Sequence, residues 1–472
     1  MAESEASPGS HEPSSFSSGE PYQRRWQALA LLGLAQLMLI LDITVVTVAL
    51  PEMGDDLGLD REALTWVVSA YTLAFGGLML LGGRAADTFG PTRILLSGLG
   101  VFTIASLVAG LATGGEVLIA ARAVQGVGAA LLSPAALSVL VRIFTGAELN
   151  RALGIWSALG GVGAAVGVLL GGVLTAGPGW QWIFFVNVPV GAVVFGYLGR
   201  VLPAMPAWAP GRRLDVVGAL LGTSATLVVT YAFINAGEDG WTSAQTLVLL
   251  VVGGLLYSGF GIWIRRTPHP LVPPTLLGRR TVAAGSLALL VTTALMVSVF
   301  FLGTFYLQGV AGHDPLVTGL LFLPVALATM IGAQAAGRLL GRFGARSLAA
   351  CGLIVAAAGL VVPAVSLGVA STVAAVTIAS GGLGVLFVVA AATVLGGVAP
   401  DEAGVASAVL STSHELGSSL GVAVMSGVVA ASLTLATGSG FERGYLVAAI
   451  LALVAAGATS VLIPPTRREA IV

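Results

Sequence analysis

Four ionisable side chains, Asp42, Arg122, His414 and Glu415, stand inside apolar runs long enough to cross a bilayer. A charge at that depth is costly, so each marks a pairing, a proton path or a polar cargo. Asp42 lies nine residues before Pro51, which at about 1.5 Å per residue sets its carboxylate roughly 13 Å inside the outer end of the helix. A proton and a cationic substrate competing for one carboxylate is the simplest form of antiport. The competing reading is a packing carboxylate hydrogen-bonded to Thr44 or Thr47. Arg122 sits six or seven residues into its run, with Gln125, Gly126 and Gly128 just after it. Its guanidinium stays charged and requires a carboxylate or several carbonyls, unless it snorkels to the outer surface beside Glu116. His414 and Glu415 fall about ten residues into theirs, with Ser411 and Ser418 three or four residues away on the same face. Such a stripe must look into a helix bundle, where it carries protons, holds a polar substrate or only hydrogen-bonds between helices.

Gly163, Gly167 and Gly171 follow one another at four-residue spacing, with Gly172 beside them. Glycines on one face admit another helix to backbone contact, and a chain of three suggests a seam that also slides. Asp87, Arg84, Arg93, Arg338 and Arg342 stand at the cytoplasmic ends of their runs. They are expected to be water-screened there, either latching the molecule in one state or serving only as a topology signal. Trp180, Trp182 and Trp241 read as interface anchors.

Several chemistries are excluded. All 21 basic residues are arginine, so neither a phosphate-binding loop of the GxxxxGK[ST] type nor a Schiff-base lysine exists. The only cysteine, Cys351, permits no intrachain disulfide and no cysteine-based zinc site. No cofactor, no metal and no nucleic acid is expected. The missing lysine, with abundant Ala, Gly and Val, points to a GC-rich bacterial genome.

These residues must be carried by membrane helices. Apolar residues make up 56 % of the 472 residues and charged ones 9 %, too little polar surface for a soluble globule. Fourteen spans are expected, near 27–50, 63–82, 94–112, 116–140, 151–175, 182–201, 215–235, 245–264, 282–308, 316–337, 347–368, 372–397, 404–430 and 444–463. With a cytoplasmic N-terminus, eighteen arginines fall in inside connections and tails, and only Arg61 and Arg443 fall outside. That is the positive-inside bias, and one missed helix would scramble it. Both termini are therefore expected in the cytoplasm. Residues 1–22, rich in Ser, Pro, Gly and Glu, form an expected disordered tail with no signal-peptide pattern.

Gly83–Gly90 and Gly337–Gly344 share glycine, arginine, phenylalanine and glycine at matching offsets. A repeat of this kind divides the chain into six-helix halves at 23–203 and 282–463, two inserted helices at 204–268, a proline-rich cytoplasmic linker at 269–281 and a tail at 464–472. Parallel halves are a transporter architecture, with the substrate at midplane between them.

The motifs resemble the major facilitator superfamily, and within it the fourteen-span drug:proton antiporters. Leu41–Pro51 is similar to that family's first-helix motif, Gly83–Arg93 to its loop motif, Arg122–Gly128 to its fourth-helix motif and Gly163–Gly172 to its antiporter motif, followed by Trp182–Pro189. The resemblance covers essentially the whole chain after the tail. It departs at Val168, where the antiporter motif usually has proline, at Pro91 and Thr92, which replace basic residues, and at Thr47, which replaces a frequent asparagine. The resemblance implies an exporter in the bacterial inner membrane that expels small hydrophobic or cationic drugs by alternating access. Its partners would be that cargo, protons and membrane lipids. Asp42 is then expected as the coupling or substrate-facing carboxylate and Arg122 as the group that tunes its protonation, while the residues themselves put a second polar site at Glu415 and His414. Export of a lipid, siderophore or other metabolite on the same fold is the alternative, and a non-transporting membrane sensor is a more distant one.

Overall fold

In hydrocarbon every backbone N–H and C=O must be satisfied within its own segment or a closed sheet, and the apolar runs of this chain are helices throughout. The computed structural model describes residues 22–59, 61–202, 205, 215–313, 315–399, 402–435 and 439–464. The expectations for residues 1–21 and 465–472, and for Arg212, Arg213, Arg467 and Arg468, lie outside these residues, as do those for the side chains of Thr47, Arg61, Val168 and Gly172.

The first bundle comprises α1 (Arg25–Leu57), α2 (Arg61–Phe89), α3 (Pro91–Gly110), α4 (Gly115–Ile143), α5 (Gly146–Ala176), α6 (Gln181–Phe185) and α7 (Asn187–Val201). The second comprises α10 (Pro274–Leu277), α11 (Arg280–Phe305), a π-helical turn at Tyr306–Val310, α12 (Pro315–Leu321), α13 (Leu323–Val365), α14 (Val369–Leu395), α15 (Ala403–Leu435) and α16 (Ser439–Leu462). Between them, α8 (Val216–Asp239) and α9 (Ala244–Arg266) pair as a hairpin. In the first bundle α4 packs on α2 and α3, and α1 on α5; in the second α13 packs on α14 and α16, and α11 on α15. The bundles meet where α5 crosses α13 and α14 and where α2 crosses α15. Eleven helical stretches among the described residues are long and apolar enough to cross a membrane.

The repeated sequence motif has a backbone reason. Gly90 (φ 95°) and Gly344 (φ 78°) occupy matching positions in the two copies, and both need a left-handed conformation that side-chain-bearing residues resist. Gly90 stops α2 so that Pro91 can start α3, while Gly344 interrupts the 43-residue α13. At the other end of each copy, Gly83 and Gly337 let a helix of the opposite bundle reach the backbone. A methyl on Gly83 would lie 2.5 Å from the Gly404 carbonyl oxygen on α15, and one on Gly337 would lie 3.0 Å from the Asn150 carbonyl oxygen on α5.

Asp215 organises the inserted pair. It caps α8 by accepting the Gly218 N–H at 2.8 Å, and it also accepts the Trp263 indole N–H at 2.8 Å and the Leu271 N–H at 3.0 Å. That buried carboxylate binds the proline-rich connection back onto the hairpin. Helix α8 lies along the line where α2 meets α15: the rings of Trp66 and Tyr231 stack at 6.3 Å, and the Trp241 indole N–H donates to the Ala423 carbonyl at 3.3 Å.

Two expectations are corrected. Helix α1, expected to end near residue 50, runs on to Leu57, so Glu52, Asp55 and Asp56 stand on its last turns. Trp180 is no interface anchor: it is 1 % exposed and donates its indole N–H to Asp56 at 2.9 Å, whereas Trp182 is half exposed.

Candidate functional site

A cavity of about 420 Å³ lies between the bundles, a size that suits a drug-like molecule. Helix α1 contributes Gln36, Ile40 and Thr44, and rings come from Phe75, Trp156, Phe300, Phe322 and Phe387. Facing them, α15 presents Ser411, His414, Glu415 and Ser418, so the whole polar stripe read from the sequence lines the cavity. Among the described residues, Glu415 is the only carboxylate in that lining, no arginine joins it, and it makes no ion pair. The Ser418 hydroxyl donates to the His414 carbonyl within the helix at 3.0 Å, and the His414 ring lies 5.9 Å from that of Phe387.

Asp42 and Arg122 lie apart from this lining, inside the first bundle, and are 2 % and 1 % exposed. They form an ion pair from Arg122 Nη1 to Asp42 Oδ2. The same Nη1 donates to Gln125 Oε1 at 3.0 Å, and Nε donates to the Val67 carbonyl at 3.0 Å. Asp42 Oδ1 accepts Gln125 Nε2 at 3.1 Å and Asn187 Nδ2 at 3.2 Å, and Gln125 also donates to Ser106 at 2.8 Å. Five helices thus meet at one carboxylate–guanidinium pair. Tyr71 closes it from α2, with the guanidinium carbon 4.4 Å from its ring centroid. The carboxylate is therefore not isolated, and Arg122 does not snorkel. Hydrogen bonding of Asp42 to Thr44 does not occur, because the Thr44 hydroxyl donates to the Leu41 carbonyl at 3.1 Å.

At the end of the molecule that carries residues 84–90 and 402–405, Asp87 is 1 % and Arg84 6 % exposed, which corrects the expectation of water-screened charges. The bundles close over them. Asp87 accepts the N–H groups of Gly404 at 3.1 Å and Val405 at 2.9 Å, at the start of α15, where a helix N-terminus favours a carboxylate. Arg142 approaches the same carboxylate at 3.7 Å. Arg93, Arg338 and Arg342 are exposed, and Arg342 lies over the Phe343 ring at 5.3 Å. Nearby, Arg25 and Glu148 tie α1 to α5 at 2.8 Å. The Arg25 hydrogen bonds hold the half-exposed Glu148 carboxyl below its ordinary range.

The glycine face of α5 packs on α1. A methyl on Gly163 would lie 2.6 Å from Ile40 Cγ2, and one on Gly167 would lie 2.8 Å from Thr44 Cβ and closer still to its hydroxyl; Gly171 is buried as well. Overpacking a tight contact costs about 1–3 kcal/mol. Gly167→Leu is therefore expected to lower the thermal midpoint in detergent by several degrees and to displace Thr44 from the cavity wall. An unchanged midpoint would show that α1 and α5 do not approach this closely.

Two helical bundles around a central cavity, with one end shut by backbone contacts, are the architecture of a polytopic membrane transporter. The chain belongs to the major facilitator superfamily, whose profile matches residues 32–422. It is 39 % identical to the puromycin resistance protein of Streptomyces alboniger over 92 % of this chain and 89 % of that one. It is 40 % identical to the cephamycin export protein of Amycolatopsis lactamdurans over 84 % of each. Among solved structures, the human organic anion transporter MFSD10 (TETRAN) aligns with a TM-score of 0.67 at 15 % identity, covering 92 % of this chain and 100 % of that one. A proton:xylose symporter aligns at 0.67 and 12 % identity, covering 95 % and 98 %.

Sequence reasoning did not single out Tyr71 or Ser106. Ser106 leaves no distinguishing mark in an apolar run, and Tyr71 reads as one more core ring.

Proposed function

We propose that this protein is a proton-coupled drug exporter of the inner membrane of a bacterium, working by alternating access of its two bundles. The observation that carries this reading is Glu415, the one acid among the described residues that line an aromatic cavity between the bundles, where no described residue forms an ion pair with it. A cationic or polarisable lipophile is attracted there, and a proton replaces it on the same group. Relatives named for puromycin resistance and cephamycin export support an antibiotic as cargo. Asp42 and Arg122 form the coupling centre behind the cavity, and Asp87 with the start of α15 forms a latch toward the cytoplasm.

Dividing Val317–Val365 at Gly344 and admitting α5 and α15, which are 31 and 33 residues long, supports fourteen spans with both termini cytoplasmic. One proton moving down the potential releases about 2.3 kcal/mol per 100 mV, enough to drive substantial extrusion. Wild-type protein in proteoliposomes with an imposed pH gradient is expected to move protons when lipophilic cations or antibiotics are added. Silence across a broad panel, with folded protein, would favour an endogenous lipid or metabolite driven by another gradient, or a sensor.

A further inference from the structure

Tyr71 sits against Arg122 on the same helix whose next turn meets Glu415, and packing alone does not account for its hydroxyl. The side chain is fully buried, and its hydroxyl has no hydrogen-bond partner among the described residues. Phenylalanine would fill the same space against Arg122 without stranding a polar atom. The ring seats the Arg122 guanidinium at 4.4 Å, while Phe184 faces the same guanidinium at 5.9 Å.

Along α2 the geometry turns toward the cavity. Phe75, one turn on, stands 5.6 Å from the Tyr71 ring and lines the cavity with Glu415. A methyl on Gly76 would lie 3.4 Å from Glu415 Cβ. The five residues from Tyr71 to Gly76 rise about 7.5 Å, so one short stretch of helix touches the Arg122 pair at one end and Glu415 at the other. The charged groups that act on the Tyr71 hydroxyl are Asp42 from α1, Arg122 from α4 and Glu415 from α15.

We infer that the Tyr71 hydroxyl relays protons between Glu415 and Asp42, an inference that rests on the proton-coupled reading above. When cargo displaces the proton of Glu415, the Glu415 O–H bond breaks as the Tyr71 oxygen accepts that proton. The Tyr71 O–H bond breaks as its own proton passes to Asp42, with a bridging water between the hydroxyl and each carboxylate. Tyrosine begins and ends as a neutral phenol, one proton has moved, and nothing is oxidised or reduced. Protonating Asp42 removes the negative partner of Arg122, which links occupancy of the cavity to the contact that joins α1 with α4.

Tyr71→Phe is the direct test, because it keeps the ring under Arg122 and removes only the hydroxyl. Substrate counterflow at equal internal and external pH is expected to stay within about twofold of wild type, since exchange of cargo needs no net proton transfer. Transport driven by an imposed pH gradient is expected to fall at least tenfold in the same vesicles. If both rates match wild type, the hydroxyl carries no protons and the relay is wrong. If both fall together, Tyr71 is a packing residue and the relay is equally wrong. Wild-type vesicles in which cargo moves without any proton flux would remove the proton-coupled reading itself, a result distinct from a silent Tyr71→Phe.

Discussion

Replacing Arg122 with glutamine is expected to abolish coupled transport and to destabilise the protein more than any other single substitution considered. The guanidinium pairs with Asp42, donates to Gln125 and the Val67 carbonyl, and lies against the Tyr71 ring, all in a site that is 1 % exposed. Removing one member of a buried ion pair strands the other charge, at a cost of about 3–5 kcal/mol. Arg122→Lys is expected to fail as well, because an ammonium cannot meet a carboxylate, an amide and a carbonyl from one plane. The decisive comparison is thermal stability of Arg122→Gln, Asp42→Asn and the double variant. If the pair is the source of the loss, the double variant is more stable than Arg122→Gln, since no charge is left stranded, while coupled efflux stays absent in all three. Losses that simply add would show that the two residues act separately.

That pair also shows how far a chain of this kind can be read in advance. An arginine deep in an apolar run requires a carboxylate or several carbonyls unless it snorkels, so the need for partners was legible. Which residues complete the pair was not, because Asn187 and Ser106 become neighbours only through the crossing of α1, α3, α4 and α7. The repeat at Gly83 and Gly337 was visible as letters, and its meaning emerged only with the backbone: a close crossing at the first glycine and a left-handed break at the last, in both copies. Asp87 went the other way. Its place at the end of an apolar run suggested solvent, yet the N–H groups that cover it come from Gly404 and Val405, more than 300 positions along the chain. Charge at a helix end reads as surface until the element that buries it is known. Tyr71 was hidden for a related reason, since an aromatic residue in an apolar run carries no mark of what its hydroxyl faces.

Glu415→Gln is expected to change which molecules the transporter carries, and that outcome separates a cavity residue from a structural one. The substitution keeps the size of the side chain and the approach of Gly76 on α2, so folding and the cavity of about 420 Å³ are preserved. What disappears is the one carboxylate among the described lining residues. A lipophilic monocation loses its counter-charge in a cavity walled mostly by apolar side chains, and its KM is expected to rise at least tenfold, equivalent to about 1.4 kcal/mol. A neutral compound of the same size relies on Phe75, Trp156, Phe300, Phe322 and Phe387 and is expected to change by less than about threefold. Proton release on addition of the cation should vanish with the carboxylate. Equal losses for both compounds would mean that Glu415 holds helices together, and no loss for either would place the binding of cations elsewhere. Only a split between the two cargoes, with proton release lost, fits a carboxylate that proton and cation occupy in turn.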